Sequence, residues 1–271
     1  SVLQQTRVDF VLTICDDSHP SFPLADHIDH LGDARVRYVQ NERVLGAGAN
    51  FARLLSMASG DRVAFMGADD VLHPSYLHRM AQLVERHPEA DVIQPGVRVI
   101  DADGSPLTGT TDRVKRLLAP AQAGRLMVGE RLASSLLSGN WTYFPSLLWR
   151  RSTIDSIGFR EYDVVQDLGL LLDVVMQGGT LLVDDAVTFD YRRHDRSLST
   201  RRTHTGARFA EERDFLAAIA TELHDLGWDG AARSARRRSS SRLHAASLVP
   251  RAAGEVDLPA LRRLLRHALG R

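Results

Sequence analysis

Two short apolar runs, each stopping on a pair of adjacent aspartates, constrain the fold of this chain more than anything else in it. The first covers residues 10–15 and ends on Asp16 and Asp17; the second covers residues 63–66 and ends, after Gly67 and Ala68, on Asp69 and Asp70. Runs of this length and composition read as buried strands. In an open α/β sheet, ligands sit just outside the carboxyl ends of the strands, so acidic pairs there stand where charge does chemistry. Adjacent carboxylates repel unless one is protonated, both are solvated, or a cation lies between them. Hard oxygen ligands suit Mg²⁺ or Mn²⁺, which bind through one or two carboxylates plus the phosphates of a substrate. The plainer alternative is a solvated turn leading into a helix at Pro74, with Asp70 or Ser75 capping it. One pair leaves the two readings level. A second pair favours a ligand site, with four carboxylates at one edge of a parallel sheet.

The surrounding pattern alternates strand and helix. A helix is predicted over 24–31 and a strand over 36–40. The Gly-punctuated stretch 41–48 leads into a helix to about residue 59. Pro74 opens a helix to residue 87, and a strand over 92–100 ends on the turn Asp101-Ala102-Asp103-Gly104. This is a doubly wound α/β fold with a mostly parallel sheet flanked by helices. Between residues 105 and 129 the pattern allows only one short helix. Helices over 130–137 and 168–177, an apolar stretch at 145–149, and two strands at 180–183 and 187–191 follow. Beyond residue 200 the composition shifts to Ala, Arg and Leu at helical spacing, which divides the chain into an α/β domain over 1–200 and a helical C-terminal region over 201–271.

The 271 residues, 44% of them hydrophobic, suffice for one large α/β domain with a helical appendage. A formal net charge of +0 gives no argument for nucleic acid. Cys15 is the only cysteine, which excludes an intramolecular disulfide and a cysteine-rich zinc site and reads as a buried thiol. No apolar stretch approaches the ~20 residues that span a bilayer. Lys115 is the only lysine. In the tail, Arg233, Arg236, Arg237, Arg238 and Arg242 precede Leu261, Leu264, Leu265 and Ala268 at amphipathic spacing. Such helices either pack on the core with a solvated arginine face or make peripheral contact with an anionic membrane, which would put a cytoplasmic protein at the membrane's inner face.

The ordered set of short elements resembles a known family. Ser1-Val2-Leu3-Gln4-Gln5-Thr6, the Cys15-Asp16-Asp17-Ser18 and Ala68-Asp69-Asp70 elements, Pro74 and Ile100-Asp101-Ala102-Asp103-Gly104 fall in the order and spacing of family 2 glycosyltransferases of the GT-A fold. Gly139-Asn140, Pro145-Ser146, Ile157-Gly158-Phe159, Gln166-Asp167 and Tyr191-Arg192-Arg193-His194 continue the resemblance to about residue 200. It implies an inverting transfer of a sugar from a nucleotide-diphosphate sugar, usually UDP-linked, to a saccharide or lipid-linked acceptor of cell-surface polysaccharide or glycolipid synthesis. It gives Asp17 the donor's base, Asp69 the ribose hydroxyls, Asp70 (with Asp69 beside it) the Mg²⁺ or Mn²⁺ on the diphosphate, and Asp167 the role of general base. It makes His194 a diphosphate or metal-site contact. Asn50 and Arg53, after the Gly46-Ala47-Gly48 loop, are further candidate nucleotide contacts, although the loop lacks the Lys-Ser/Thr of a P-loop. His73, His78 and His87 read as surface positions.

Two positions depart from the family pattern: Gln166 where Glu is frequent, and Gly67 where Asp is. The resemblance also implies a strand and a base-wrapping turn ahead of Ser1, so the natural product is expected to be longer or this chain impaired. A catalytically impaired, glycosyltransferase-like binding domain is therefore the main alternative. A nucleotidyltransferase is a weaker one, since it would need a basic Gly-rich signature near its first strand.

Overall fold

The computed structural model describes residues 1–17, 24–107, 109–119, 124–162, 164–194, 207–254 and 257–269. Strand β1 (Leu12–Asp16) runs parallel to β2 (Val36–Gln40), with α1 (Leu24–Leu31) on the connection between them. After α2 (Ala47–Met57) the chain builds a second, six-stranded sheet. Its strands are β3 (Arg62–Ala64), β4 (Val71–Leu72), β5 (Val92–Ile100), β6 (Leu126–Met127), β7 (Leu148–Arg150) and β8 (Leu181–Arg192), in the spatial order β3-β7-β5-β8-β4 with β6 also on β8. Helices α3 (Tyr76–Arg86), α4 (Thr110–Leu118), α5 (Gly129–Ser138), α6 (Arg151–Ile157) and α7 (Gln166–Met176) are interleaved with these strands. The expected mixed α/β architecture is present. Among the described residues the pairing is not mostly parallel, however: β1–β2 and β5–β8 pair in parallel, whereas β3–β7, β5–β7, β4–β8 and β6–β8 pair antiparallel. β7 is three residues long and comes straight out of a 3₁₀ turn (Phe144–Ser146), too short to show alternation in the sequence.

The two strands read at 180–183 and 187–191 are one strand, β8. Asp184 and Asp185, which look like a turn, lie where the β5–β8 register shifts around Gly96. A Cβ on Gly96 would sit 2.5 Å from the Asp185 carbonyl oxygen, so glycine is what lets β8 pass without breaking. Asp184 is held by a bidentate pair with Arg79 of α3 (2.6 and 2.8 Å). His73 is half-buried and 3.0 Å from the buried Asp190, so the surface reading of that histidine is corrected. The pairing fixes the end of β4 against β8.

Among the described residues β1 does not pair with β3, so the two acidic strand ends do not share one sheet edge as expected. They face each other across a cleft of ≈ 2670 Å³, walled by Leu12 and Ile14 on one side and Val63 and Phe65 on the other. Helix α2 bridges it. Phe51 packs on Phe65 and Phe144 (centroids 5.6 and 5.2 Å) in the main core, while the adjacent Asn50 donates to the Cys15 carbonyl at the end of β1 (3.2 Å).

Among the described residues four helices follow: α8 (Ala207–Asp225), α9 (Asp229–Arg237), α10 (Ser239–Gly254) and α11 (Leu258–Ala268). Phe215, Ile219 and Leu223 of α8 and Ala231, Ala232 and Ala235 of α9 are buried in the same core as α5 and α7. Arg160 ties α7 to α8 through two bonds each to Asp173 and Glu222. Helices α10 and α11 close a smaller cluster around Phe209, Ala245 and Leu264. At its centre the buried His267 pairs through Nε2 with the Ser241 hydroxyl (2.8 Å). Burial, reinforced by Arg238, Arg213 and Arg242, pushes the His267 imidazole down to about 4. The unfolded chain therefore takes up this proton first, and the contribution of His267 is complete above its ordinary value of 6.5 and lost as pH falls toward about 4. We expect His267→Gln to remove up to about 3 kcal/mol of acid-induced loss of stability over that window, read as a flatter pH dependence of urea unfolding. His244, also pushed down to about 4 by burial, contributes acid sensitivity of the same sign over the same window.

Candidate active site

The three predicted strand-end carboxylates Asp17, Asp69 and Asp70, together with Asp167 in the first turn of α7, all line the cleft. Their environments differ. Asp17 already has three donors: Oδ1 accepts from Asn41 Nδ2 (2.8 Å) and the Leu45 amide (2.7 Å), and Oδ2 from the Gly46 amide (2.8 Å). It thus moulds the loop that Gly46, at φ 88°, turns into α2. Asn41 also donates to Asn50 Oδ1 (2.9 Å), which joins Asp17 to α2. Asp16 is engaged elsewhere, accepting from the Tyr38 hydroxyl (2.9 Å). Arg53, one turn beyond Asn50, is half-buried and is not among the residues lining the cleft. Its charge acts on Cys15, whose thiol is pushed up mainly by burial, in keeping with an inert thiol.

Asp70 presents the opposite situation. Its Oδ1 accepts from the Arg192 amide (2.9 Å), whereas Oδ2 is buried without any partner. Burial, helped by the adjacent Asp69, pushes its carboxyl up to about 7. Asp69 Oδ2 pairs with His194 Nε2 (2.8 Å), which brings two predicted residues together. Gly67 gives the pair its room, since a Cβ there would lie 2.7 Å from Asp70 Oδ2 and 3.0 Å from Asp69 Oδ1. In this arrangement a side chain at position 67 would have to displace both carboxylate ends. Among the described residues no group of three or more His, Cys, Asp or Glu is arranged to hold a metal. The orphaned, electrostatically strained Asp70 oxygen fits a divalent cation whose remaining ligands come from a substrate's phosphates and water.

At the far end of the cleft Asp167 Oδ2 accepts from Asn140 Nδ2 (3.2 Å), and Asn140 Oδ1 in turn accepts from the Thr142 hydroxyl (2.6 Å). Asn140, itself held by Thr142, thus fixes which way the carboxylate faces. Sequence reasoning gave no role to Asn41, Asn140 or Arg192. Arg192 does most of the bracing: besides its amide bond to Asp70, its guanidinium donates to the carbonyls of Asp69, Asp101 and Ala102 (2.8, 2.9 and 2.9 Å). The Asp101 turn and the Tyr191-to-His194 run were both visible in the sequence, but nothing local says that they meet. Asp17→Ala is expected to free the Leu45 and Gly46 amides, raising their hydrogen exchange by about tenfold or more while leaving the β5 amides unchanged.

The sequence model described as Glycosyl transferase family 2 matches residues 1–151, more than half of the chain. The uncharacterized glycosyltransferase MJ1057 of Methanocaldococcus jannaschii is 31% identical over 108 residues, 39% of this chain and 37% of that protein. The match thus spans well under half the length of this curated relative. The fold is similar to that of S. aureus TarS 1-349 in complex with UDP-GlcNAc, with TM-score 0.60 and 16% identity over 82% of this chain and 60% of that one. It is also similar to the mannosyltransferase PcManGT from Pyrobaculum calidifontis in complex with GDP-Man and Mn²⁺, with TM-score 0.58 and 14% identity over 99% of this chain and 80% of that one. By its sequence match and its GT-A-like α/β fold, this chain belongs to glycosyltransferase family 2.

Proposed function

We propose that the chain is an inverting, metal-assisted glycosyltransferase using a nucleotide-diphosphate sugar, with UDP as the leading nucleotide. The observation that carries this reading is the buried, partnerless Oδ2 of Asp70 in a cleft that also holds Asp17, Asp69 and Asp167. The UDP-GlcNAc bound to TarS supports the uridine assignment, and the Mn²⁺ of the mannosyltransferase supports a divalent cation.

In this reading Asp17 keeps the 41–46 loop in shape and uses its remaining lone pair on the donor's base, with Asn50 bracing both. Asp69, steered by His194, takes the ribose hydroxyls. Asp70 and Asp69 would hold Mg²⁺ or Mn²⁺, which when bound supplies positive charge to the departing diphosphate. Asp167, oriented by Asn140, accepts the proton of the acceptor hydroxyl as that oxygen attacks the anomeric carbon from the face opposite the diphosphate. One displacement at that carbon inverts it. The acceptor in this reading is a saccharide or lipid-linked saccharide. No helix among the described residues is long and apolar enough to cross a membrane. The arginines of α9 to α11 are the feature that supports peripheral contact with an anionic membrane.

Thermal unfolding with UDP, GDP and dTDP, each with and without Mn²⁺, tests the donor side. One nucleotide should stabilise the chain only when metal is present, and Asp70→Ala should abolish the effect; no response to any nucleotide overturns the reading. Asp167→Asn tests the acceptor side: turnover should fall by about 10²–10⁴-fold while metal-dependent nucleotide binding stays at the wild-type level.

A further inference from the structure

Residues 139–143, between α5 and the 3₁₀ turn (Phe144–Ser146), form neither helix nor strand, yet they carry Asn140, which holds Asp167. Trp141 and Thr142 are buried within this stretch. A buried segment without a ladder has to be held, and its backbone groups satisfied, by side chains from elsewhere. Three elements supply them. Ser135 of α5 accepts from the Trp141 indole (3.1 Å), Gln94 of β5 accepts from the Tyr143 amide (3.2 Å), and Lys115 of α4 donates to the Thr142 carbonyl (2.7 Å).

The proposed function leaves Lys115, the only lysine of the chain, without a task. Its ammonium lies over the Tyr143 ring (4.3 Å to the centroid) as well as on the Thr142 carbonyl, so both of these partners are neutral. Burial pushes the ammonium down to about 8. An apolar side chain at this position would not carry that cost. One turn earlier on the same face of α4, the buried Asp112 accepts from the Tyr143 hydroxyl (3.0 Å) and makes a bidentate pair with Arg193 (2.6 and 2.9 Å) at the end of β8. That pair fixes α4 to the sheet, and Lys115 with it.

From the Thr142 carbonyl the bonds run on to the candidate base. Thr142 donates to Asn140 Oδ1 through its hydroxyl (2.6 Å) and its amide (3.3 Å), and Asn140 Nδ2 donates to Asp167 Oδ2 (3.2 Å). We infer that Lys115 is a positioning residue for Asp167, pinning the Thr142 peptide so that Asn140 engages one oxygen of Asp167 and the other is presented to the acceptor hydroxyl. The base role of Asp167 rests on the proposed transferase reading; the relay that orients it does not. A base displaced from the proton it takes loses rate, whereas donor affinity is set at the Asp17 and Asp70 end of the cleft and stays.

Release of UDP from UDP-glucose with Mn²⁺, water being the acceptor, reads the step that Asp167 assists. Lys115→Met should lower kcat about tenfold while KM for UDP-glucose and Mn²⁺-dependent UDP binding stay unchanged, and Lys115→Arg should recover most of the rate. Thr142→Val should lower kcat as well, and in the double variant the two losses should not multiply, since both substitutions cut one relay. A wild-type kcat in Lys115→Met, a loss confined to KM, or losses that multiply in the double variant overturn the inference. A second measurement needs neither turnover nor a folded Lys115→Met. Because Lys115 is the only lysine, a chain labelled with ¹⁵Nζ-lysine gives one ammonium signal. The neutral substitution Asn140→Leu should shift that signal with no change of charge, and a signal that stays in place overturns the inference. Absence of turnover in the wild type, with the signal shifted by Asn140→Leu, counts against the transferase reading and leaves the relay standing.

Discussion

Two neighbouring residues of α2 hold this architecture together. Phe51 is anchored in the aromatic core formed with Phe65, Phe144 and Phe159, and Asn50 reaches the opposite way to the end of β1 and to Asn41. Because residues one apart on a helix point about 100° from each other, a single turn of α2 can face the core and the β1–β2 unit at once. The position of Asp17 relative to Asp70, and with it the span of the cleft, follows from that turn. Within the larger sheet the matching constraint is the β5–β8 pairing, which carries residues 189–192 to the height of the Asp69–Asp70 turn and lets the Arg192 amide meet Asp70.

The four candidate-site aspartates, Asp17, Asp69, Asp70 and Asp167, show how environment gives identical side chains different capacities. Asp17 has three donors and is spent largely on backbone geometry. Asp70 has one donor and one bare oxygen, and its elevated proton affinity is the unfavourable side of that arrangement. Keeping an unsatisfied buried carboxylate costs stability, and such costs are typically found where a charged ligand relieves them. Gly67 belongs to the same compromise, because the space that a side chain would take is what lets both carboxylates turn inward.

Local pattern carried much of the fold. The helix at Leu24–Leu31 and the strands Val36–Gln40 and Val92–Ile100 were legible to the residue, since each is long enough to show its period and ends on a turn signal. What escaped was structure with no period to show. β7 is three residues, α6 has only two turns, and the Asp184-Asp185 step of β8 looks like a loop unless Arg79 and Gly96 are known to be beside it. The candidate site divided in the same way. Strand-end and helix-start carboxylates announce themselves, whereas Asn41, Asn140 and Arg192 matter through bonds to partners 24, 27 and more than 90 residues away. Lys115 was visible only as a compositional oddity.

The separation of β1–β2 from the six-stranded sheet also sets how binding and folding communicate. The two bodies meet through α2 and the walls of the cleft, with no strand pairing between them among the described residues. A ligand long enough to touch Asp17 at one end and Asp70 at the other would act as a cross-brace between them. By linkage, the free energy gained when it seats is added to the work of pulling the bodies apart. The relation is reciprocal: a substitution that loosens α2, far from any reacting atom, would weaken the ligand's hold by the same amount that the ligand stiffens the fold.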